Sequence, residues 1–308
     1  MSNAFVQQEA VQKLLREGAG LNVPGGNERF KAIVHRLLEN ICTLIDDYNV
    51  TEEEFWHAVN YLHELGGRQE AALLAAGLGL EHFLDLRQDA IDAAARRETG
   101  TPRTIEGPLY VANAPLADSH ARMDDGTDAG EVMWLHGQVK DNQGQPIANA
   151  IVDIWHANTL GNYSFFDQSQ SDYNLRRRIR TGTDGRYSVR SIMPSGYGCP
   201  PDGPTQKLLD QLGRHGNRPA HIHFFVSAPG HKHLTSQINL SGDKYLWDDF
   251  AFATREELIA DPLKITDGQL AQARDIPVPH TEVSFDFVLV AATQRDEEQR
   301  GKRARVME

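Results

Sequence analysis

The sequence predicts an α+β chain, a helical N-terminal region followed by a mainly antiparallel β-sandwich. Three observations carry that prediction. Apolar residues recur at helical spacing from about residue 5 to 98; after Gly100, short strand-forming runs alternate with turn residues; and no long helix separates those runs. The expected organisation is a helical region over 1–100, a sandwich with long loops over 101–292 and a charged tail over 293–308.

Within the helical region, Phe30, Ile33, Val34, Leu37, Leu38, Ile41, Leu44 and Ile45 draw one apolar stripe. Thr51 and Glu54 form a capping box, in which each side chain satisfies a backbone N–H left open at a helix start. The helix that follows carries Phe55, Val59 and Leu62 and stops at Gly66-Gly67. A further helix is expected from about Arg68 to Arg97, with Gly77 and Gly79 inside it. Stripes of this kind are ordinary helix packing within one subunit.

Thr101 to Pro115 holds three prolines and reads as an extended hinge. Strands are predicted at Val132 to Val139, Ala150 to Trp155, Arg178 to Thr181, Arg186 to Ile192, Ala220 to Val226, Leu234 to Leu240 and Val283 to Val290. Asp141-Asn142-Gln143-Gly144 and Asp184-Gly185 supply hairpin turn chemistry. The arginines of Arg176-Arg177-Arg178-Ile179-Arg180 read as a solvated face. The tail from Thr293 to Glu308 is charged, lacks apolar periodicity and is expected to fray.

At 40% hydrophobic residues in 308, the chain has ample material for a core. A net charge of −12 and a pI near 5.5 oppose binding to nucleic acid or anionic membrane surfaces. The longest apolar stretch, Ala71 to Leu80, is ten residues with two glycines, too short to span a bilayer. The N-terminus lacks a basic region followed by an apolar core, so a cytoplasmic protein is expected. Two cysteines, Cys42 and Cys199, do not make a disulfide framework and fit a reducing compartment.

The chemistry centres on Arg218-Pro219-Ala220-His221-Ile222-His223-Phe224-Phe225-Val226. A strand here sends His221, His223 and Phe225 to one face and Ile222, Phe224 and Val226 to the other. Upstream lie Tyr163, in Gly161-Asn162-Tyr163-Ser164-Phe165-Phe166, and Tyr197, in a loop punctuated by glycine and proline. Each tyrosine alone reads equally as core, its hydroxyl tied to a backbone carbonyl. As a set, two phenols and two imidazoles suit ferric iron, a hard acid that favours anionic oxygen and holds phenols deprotonated. Two phenolates and one hydroxide would balance its three charges.

The runs Thr101 to Tyr110, Trp155-His156-Ala157-Asn158 through Asp167 to Ser171, Pro194 to Pro200, Leu212 to His223 and Tyr245 to Arg255 strongly resemble the catechol 1,2-dioxygenases, a family of intradiol dioxygenases. The resemblance extends from about Arg29 to Val290. It implies one non-haem Fe(III) per subunit, with Tyr163 and His223 as equatorial ligands and Tyr197 and His221 as axial ligands. It further implies that catechol displaces Tyr197, which then serves as a base, and that O2 is inserted between the two hydroxylated carbons to give cis,cis-muconate, a step of the β-ketoadipate pathway. Family pocket positions fall on Leu73, Ala76, Ile105, Pro108, Leu109, Phe250 and Ala251, any of which also reads as simple core. Ala76 stands where relatives often have proline, which bears on tolerance for ring substituents. Arg218 reads either as a strand-entry arginine or as a stabiliser of the electron-rich ring, and Gln237 either as a residue behind the site or as an exposed glutamine.

The N-terminal helices of the resembled family form a linker at a homodimer interface, with an apolar tunnel that takes a lipid. A hydroxyquinol or chlorocatechol 1,2-dioxygenase on the same scaffold is the alternative. No added cation is evident to hold a carboxylate, which disfavours protocatechuate. From a different class, Gly144 to Ile154 also resembles a transthyretin-like or carbohydrate-binding module, a β-sandwich that binds small molecules without chemistry.

Overall fold

A computed structural model describes residues 5–294 and 296. Apart from residues 293, 294 and 296, the predicted tail lies outside the described residues. The chain divides into two compact units, Met1–Gly67 and Arg68–Glu308. That division falls after Gly67 rather than near residue 100.

The first unit holds α1 (Glu9–Gly18), α2 (Glu28–Asp47) and α3 (Glu52–Gly67). Asn27 caps α2 by accepting the Phe30 N–H at 3.0 Å. The capping box forms as expected: Glu54 Oε2 accepts the Thr51 N–H at 2.8 Å and Thr51 Oγ1 accepts the Glu54 N–H at 3.2 Å. The apolar stripe of α2 stays largely in water, with Phe30, Ile33, Leu37, Ile41 and Leu44 all exposed.

In the second unit, the helix predicted over 68–97 is two helices, α4 (Ala71–Gly77) and α5 (Leu80–Ala94). Gly79 breaks them by taking a left-handed backbone with φ +73°, which glycine adopts without steric cost. The first sheet runs in the order β1 (Leu116–Asp118), β5 (Arg176–Arg180), β4 (Ile151–His156), β9 (His221–Ser227), β10 (Leu234–Leu240) and β11 (Ile259–Ala260). The second runs β12 (Leu263–Ile265), β13 (His280–Ser284), β3 (Val132–Asp141), β6 (Arg186–Ile192) and β2 (His120–Arg122), with β14 (Phe287–Leu289) also on β3. A short ribbon pairs β7 (Tyr197–Gly198) with β8 (Asn217–Arg218). Helices α6 (Pro204–Gln211) and α7 (Gly268–Ala273) complete the unit.

The long central pairs are antiparallel, β4 with β5 and β9, β9 with β10, and β3 with β6. Both sheets contribute to one apolar core, with Val152, Ile154, Ile222, Phe224 and Ile238 from the first and Leu135, Val189, Val283 and Phe287 from the second. This is the predicted sandwich.

Three local expectations need correction. The turn at Asp184-Gly185 joins β5 to β6, which lie in different sheets, so it is a crossover and not a hairpin. The predicted strand 283–290 splits because Asp286 turns its carboxylate to the Gln138 N–H of β3 at 2.8 Å, replacing a ladder bond. Arg176 is buried, because it pairs with Trp155 and shares its outer face of the sheet, where the loop of Tyr163 and Ser164 covers it, while Ile179, three residues on, turns into the core.

Candidate active site

The site is built on the outer face of the first sheet. With Ile222, Phe224 and Val226 committed to the core, the alternation of β9 sends His221, His223 and Phe225 to the opposite face. Register aligns Trp155 of β4 and Gln237 of β10 with His223, and Asn239 with His221. Trp155 stacks on the His223 ring at 5.0 Å between centroids and 4° between planes. That leaves the imidazole little freedom to turn.

Loops bring the phenols to this face. Gly161 is left-handed at φ +82°, and a Cβ there would stand 2.6 Å from the Tyr197 Cβ, so the close approach of the two tyrosine loops requires glycine. The Tyr163 and Tyr197 rings meet edge to face at 5.6 Å. Pairing of β7 with β8 places Tyr197 opposite Arg218.

The polar tips converge on His221 Nε2. Tyr163 Oη lies 3.5 Å from it, Tyr197 Oη 3.4 Å, His223 Nε2 3.2 Å and Arg218 Nη1 3.0 Å. Since a carbonyl only accepts, the 2.7 Å contact of His221 Nδ1 with Pro219 O puts the proton on Nδ1 and the lone pair on Nε2. Burial, reinforced by the Arg218 charge, pushes the His221 pKa down to about 3. Burial and then His221 hold His223 well below the usual histidine range, so both rings are neutral. Burial likewise pushes the Tyr163 phenol well above its usual value, with Tyr197 adding to the shift. Among the described residues no group of three or more His, Cys, Asp or Glu would hold a metal. The phenols are therefore needed to complete any donor set here.

A cavity of about 490 Å³ opens onto these groups. Its lining brings together Leu73, Ala76, Ile105, Pro108, Leu109, Arg218, Phe250 and Ala251 with Tyr163 and Tyr197. His221 and His223 lie behind the phenols, and Gln237 reaches the site through Arg218, whose Nη2 donates to its Oε1 at 2.9 Å. Gln237 is fully buried, not exposed. One wall is tight: a Cβ on Gly77 would come 3.0 Å from Phe250, and Arg214 ties that wall together by donating to the carbonyls of both residues.

A family model described as Dioxygenase matches residues 105–291, and one described as Catechol dioxygenase N terminus matches residues 27–96. The catechol 1,2-dioxygenase of Acinetobacter baylyi is 55% identical over 282 residues, 91% of each chain. The chain belongs to the catechol 1,2-dioxygenase family of intradiol dioxygenases. Another family member, the catechol 1,2-dioxygenase of Pseudomonas arvilla C-1, has a crystal structure that matches at TM-score 0.93 and 59% identity over 98% of each chain. A chlorocatechol 1,2-dioxygenase of Cupriavidus pinatubonensis is 36% identical over 76% of this chain and 88% of its own.

Several residues of this catechol dioxygenase site escape sequence reading. Asp249 forks onto Arg218 at 3.1 Å through both carboxylate oxygens; it stands inside the family motif Tyr245 to Arg255, but nothing local pairs it with an arginine 31 positions away. Arg176, concealed in a basic run, sits with its guanidinium carbon 5.8 Å from the Tyr163 ring centre and donates to Ser164. Arg68 adds an exposed cation to the cavity lining, contrary to the expectation of none, and the buried Glu70 lies beside it. Glu70 is occupied by the α6 start, where its Oε2 accepts the Thr205 N–H at 3.0 Å. Cys199 also lines the cavity, and burial pushes its thiol up to about 12, away from thiolate chemistry. Both cysteines are free.

Proposed function

We propose that the chain is a non-haem ferric catechol 1,2-dioxygenase that converts catechol and O2 to cis,cis-muconate. The observation that carries this reading is the convergence of two phenols and two imidazoles at the base of an apolar cavity sized for a flat aromatic diol. The donor set fits iron. His221 Nε2 has Tyr163 Oη, Tyr197 Oη and His223 Nε2 within 3.2–3.5 Å, four atoms whose lone pairs face one another and which a single cation would bind together.

Tyr163, Tyr197, His221 and His223 would hold the metal. Bound Fe(III) would supply the Lewis-acid chemistry that activates the catechol ring toward O2. Tyr197 is half-buried whereas Tyr163 is buried, so Tyr197, as its phenolate, is the one placed to take a proton from the substrate. The Arg218 guanidinium holds its charge at the cavity floor. Burial works against that charge, but Asp249, then Tyr197, outweigh it and hold the group fully protonated. Arg218 Nη1 therefore stabilises negative charge as it develops on the ring. Leu73, Ala76, Ile105, Leu109, Phe250 and Ala251 exclude water and orient the ring, and Pro108 stiffens the same wall.

The exposed apolar side chains of α2, with Phe55, Trp56 and Leu62 of α3, support a homodimer formed through the N-terminal helices. The same apolar surface suits a lipid acyl chain. Among the described residues no helix is long and apolar enough to cross a membrane. The two free cysteines suit action in the cytoplasm.

The experiment is turnover of catechol under labelled dioxygen. Both labelled atoms should appear in the two carboxylates of cis,cis-muconate. Yellow 2-hydroxymuconic semialdehyde as the main product would refute intradiol cleavage. Faster turnover of hydroxyquinol or chlorocatechols than of catechol would reassign the substrate.

A further inference from the structure

The guanidinium of Arg218 has each of its edges assigned. Nε donates to Asp249 Oδ1 and Nη2 to Asp249 Oδ2, each at 3.1 Å, and Nη2 also donates to Gln237 Oε1 at 2.9 Å. Nη1 alone faces the tyrosine–histidine cluster. We propose that Asp249 is a positioning residue of the ring-cleavage reaction, gripping Arg218 so that Nη1 is aimed at the ring carbon where charge develops. The inference rests on the functional reading above.

Two parallel hydrogen bonds fix the plane of a guanidinium, which one bond or a point charge cannot do. Asp249 is itself fixed, because Oδ1 also accepts the Ala251 N–H at 3.0 Å. Its segment is tied to the arginine strand, since the Phe250 N–H donates to Asn217 O at 3.1 Å. The grip and the substrate wall of Phe250 and Ala251 are thus one piece of backbone. Gln237 closes the remaining edge and is held in turn by Asn239 Oδ1, which accepts its Nε2 at 2.7 Å. Both charged side chains are almost wholly withdrawn from water, at 4% and 1% exposure, so no solvent can take over the role of the carboxylate.

The test is Asp249→Asn in the full-length, iron-loaded enzyme. The amide keeps the shape and loses one acceptor and the charge. The expected result is a kcat for catechol about 10- to 100-fold lower, with KM within about threefold of wild type and with iron content and visible absorption unchanged. In an Arg218→Gln background the same change should alter kcat less than about twofold, because Asp249 acts through Arg218. If Asp249→Asn does not fold, Asp249→Glu keeps the buried charge paired but displaces the fork, and the same fall in kcat with KM and iron content held is expected, unaltered kcat again overturning the proposal. Unaltered kcat in Asp249→Asn, parallel collapse of KM and iron content, or a full additive loss in the Arg218→Gln background would each overturn the proposal. Failure of the wild-type protein to make cis,cis-muconate breaks the functional reading and this inference with it. A wild type that makes it and an indifferent Asp249→Asn break this inference alone.

Discussion

Helix α2 and the outer face of the first sheet invert the burial rule in opposite senses. On α2, Phe30, Leu37 and Leu44 stand more than half exposed. On the sheet face and the loops over it, His221, His223, Gln237, Asn239, Arg218 and Asp249 are buried. Exposed apolar and buried polar side chains both cost free energy unless something offsets them, so each region points to a missing contact. For the sheet face the offset is internal, a hydrogen-bonded network that leaves its unmet demand at one point. For the helix the proposed dimer contact would supply it.

The largest expected effect comes from breaking the buried set. His223→Ala, His221→Ala or Tyr163→Phe should deplete iron and abolish turnover together, by more than the roughly 100-fold that follows loss of a group merely behind a metal; metal analysis beside an oxygen-uptake assay checks this. Tyr197→Phe should separate the two readouts, keeping part of the iron while kcat falls about 100-fold or more through loss of the proton acceptor. Equal loss of iron and activity in all four variants would remove the special role of Tyr197.

A smaller effect is set by pH. His156 is fully buried, with Nε2 on Ser191 Oγ at 2.7 Å, and burial pushes its pKa down to about 4. The folded state thus binds fewer protons than the unfolded chain, whose histidine titrates near 6.5. Stability from this group is complete above pH 6.5 and is lost as pH falls toward 4, by at most about 3 kcal/mol. Thermal unfolding between pH 7 and 4 should show a shallower slope in His156→Asn than in wild type. An unchanged slope would show that His156 does not carry the acid sensitivity.

The smallest effect on fold stability, and the sharpest contrast with the sheet face, comes from α2. Leu37→Glu or Ile41→Glu should leave the stability of the separated subunit within about 0.5 kcal/mol while dissociating the dimer in light scattering. A loss of several kcal/mol would make the stripe part of a subunit core.

What the sequence revealed follows from how local each signal is. His-x-His on a strand, the Thr51–Glu54 capping box and the central strands depend on period or near neighbours and were legible. The family motifs marked both tyrosines and the cavity positions, which local period alone left ambiguous. Asp249 was not legible as the partner of Arg218, because that pair exists only once two distant loops fold together. Arg176 misled, since a run of arginines reads as solvated until register sets its first member beside Trp155 on the site face, under the Tyr163 loop. The three-residue β1 and β2, which pair parallel to their neighbours, are too short to show a period.

The central claim is that the two phenols bind iron as phenolates. Visible absorption of the purified wild-type protein, normalised to its iron content, tests it most directly. The account predicts a burgundy protein whose phenolate-to-iron charge-transfer band is altered in both Tyr163→Phe and Tyr197→Phe. A protein that stays colourless after iron loading, or a band that neither substitution changes, would contradict it.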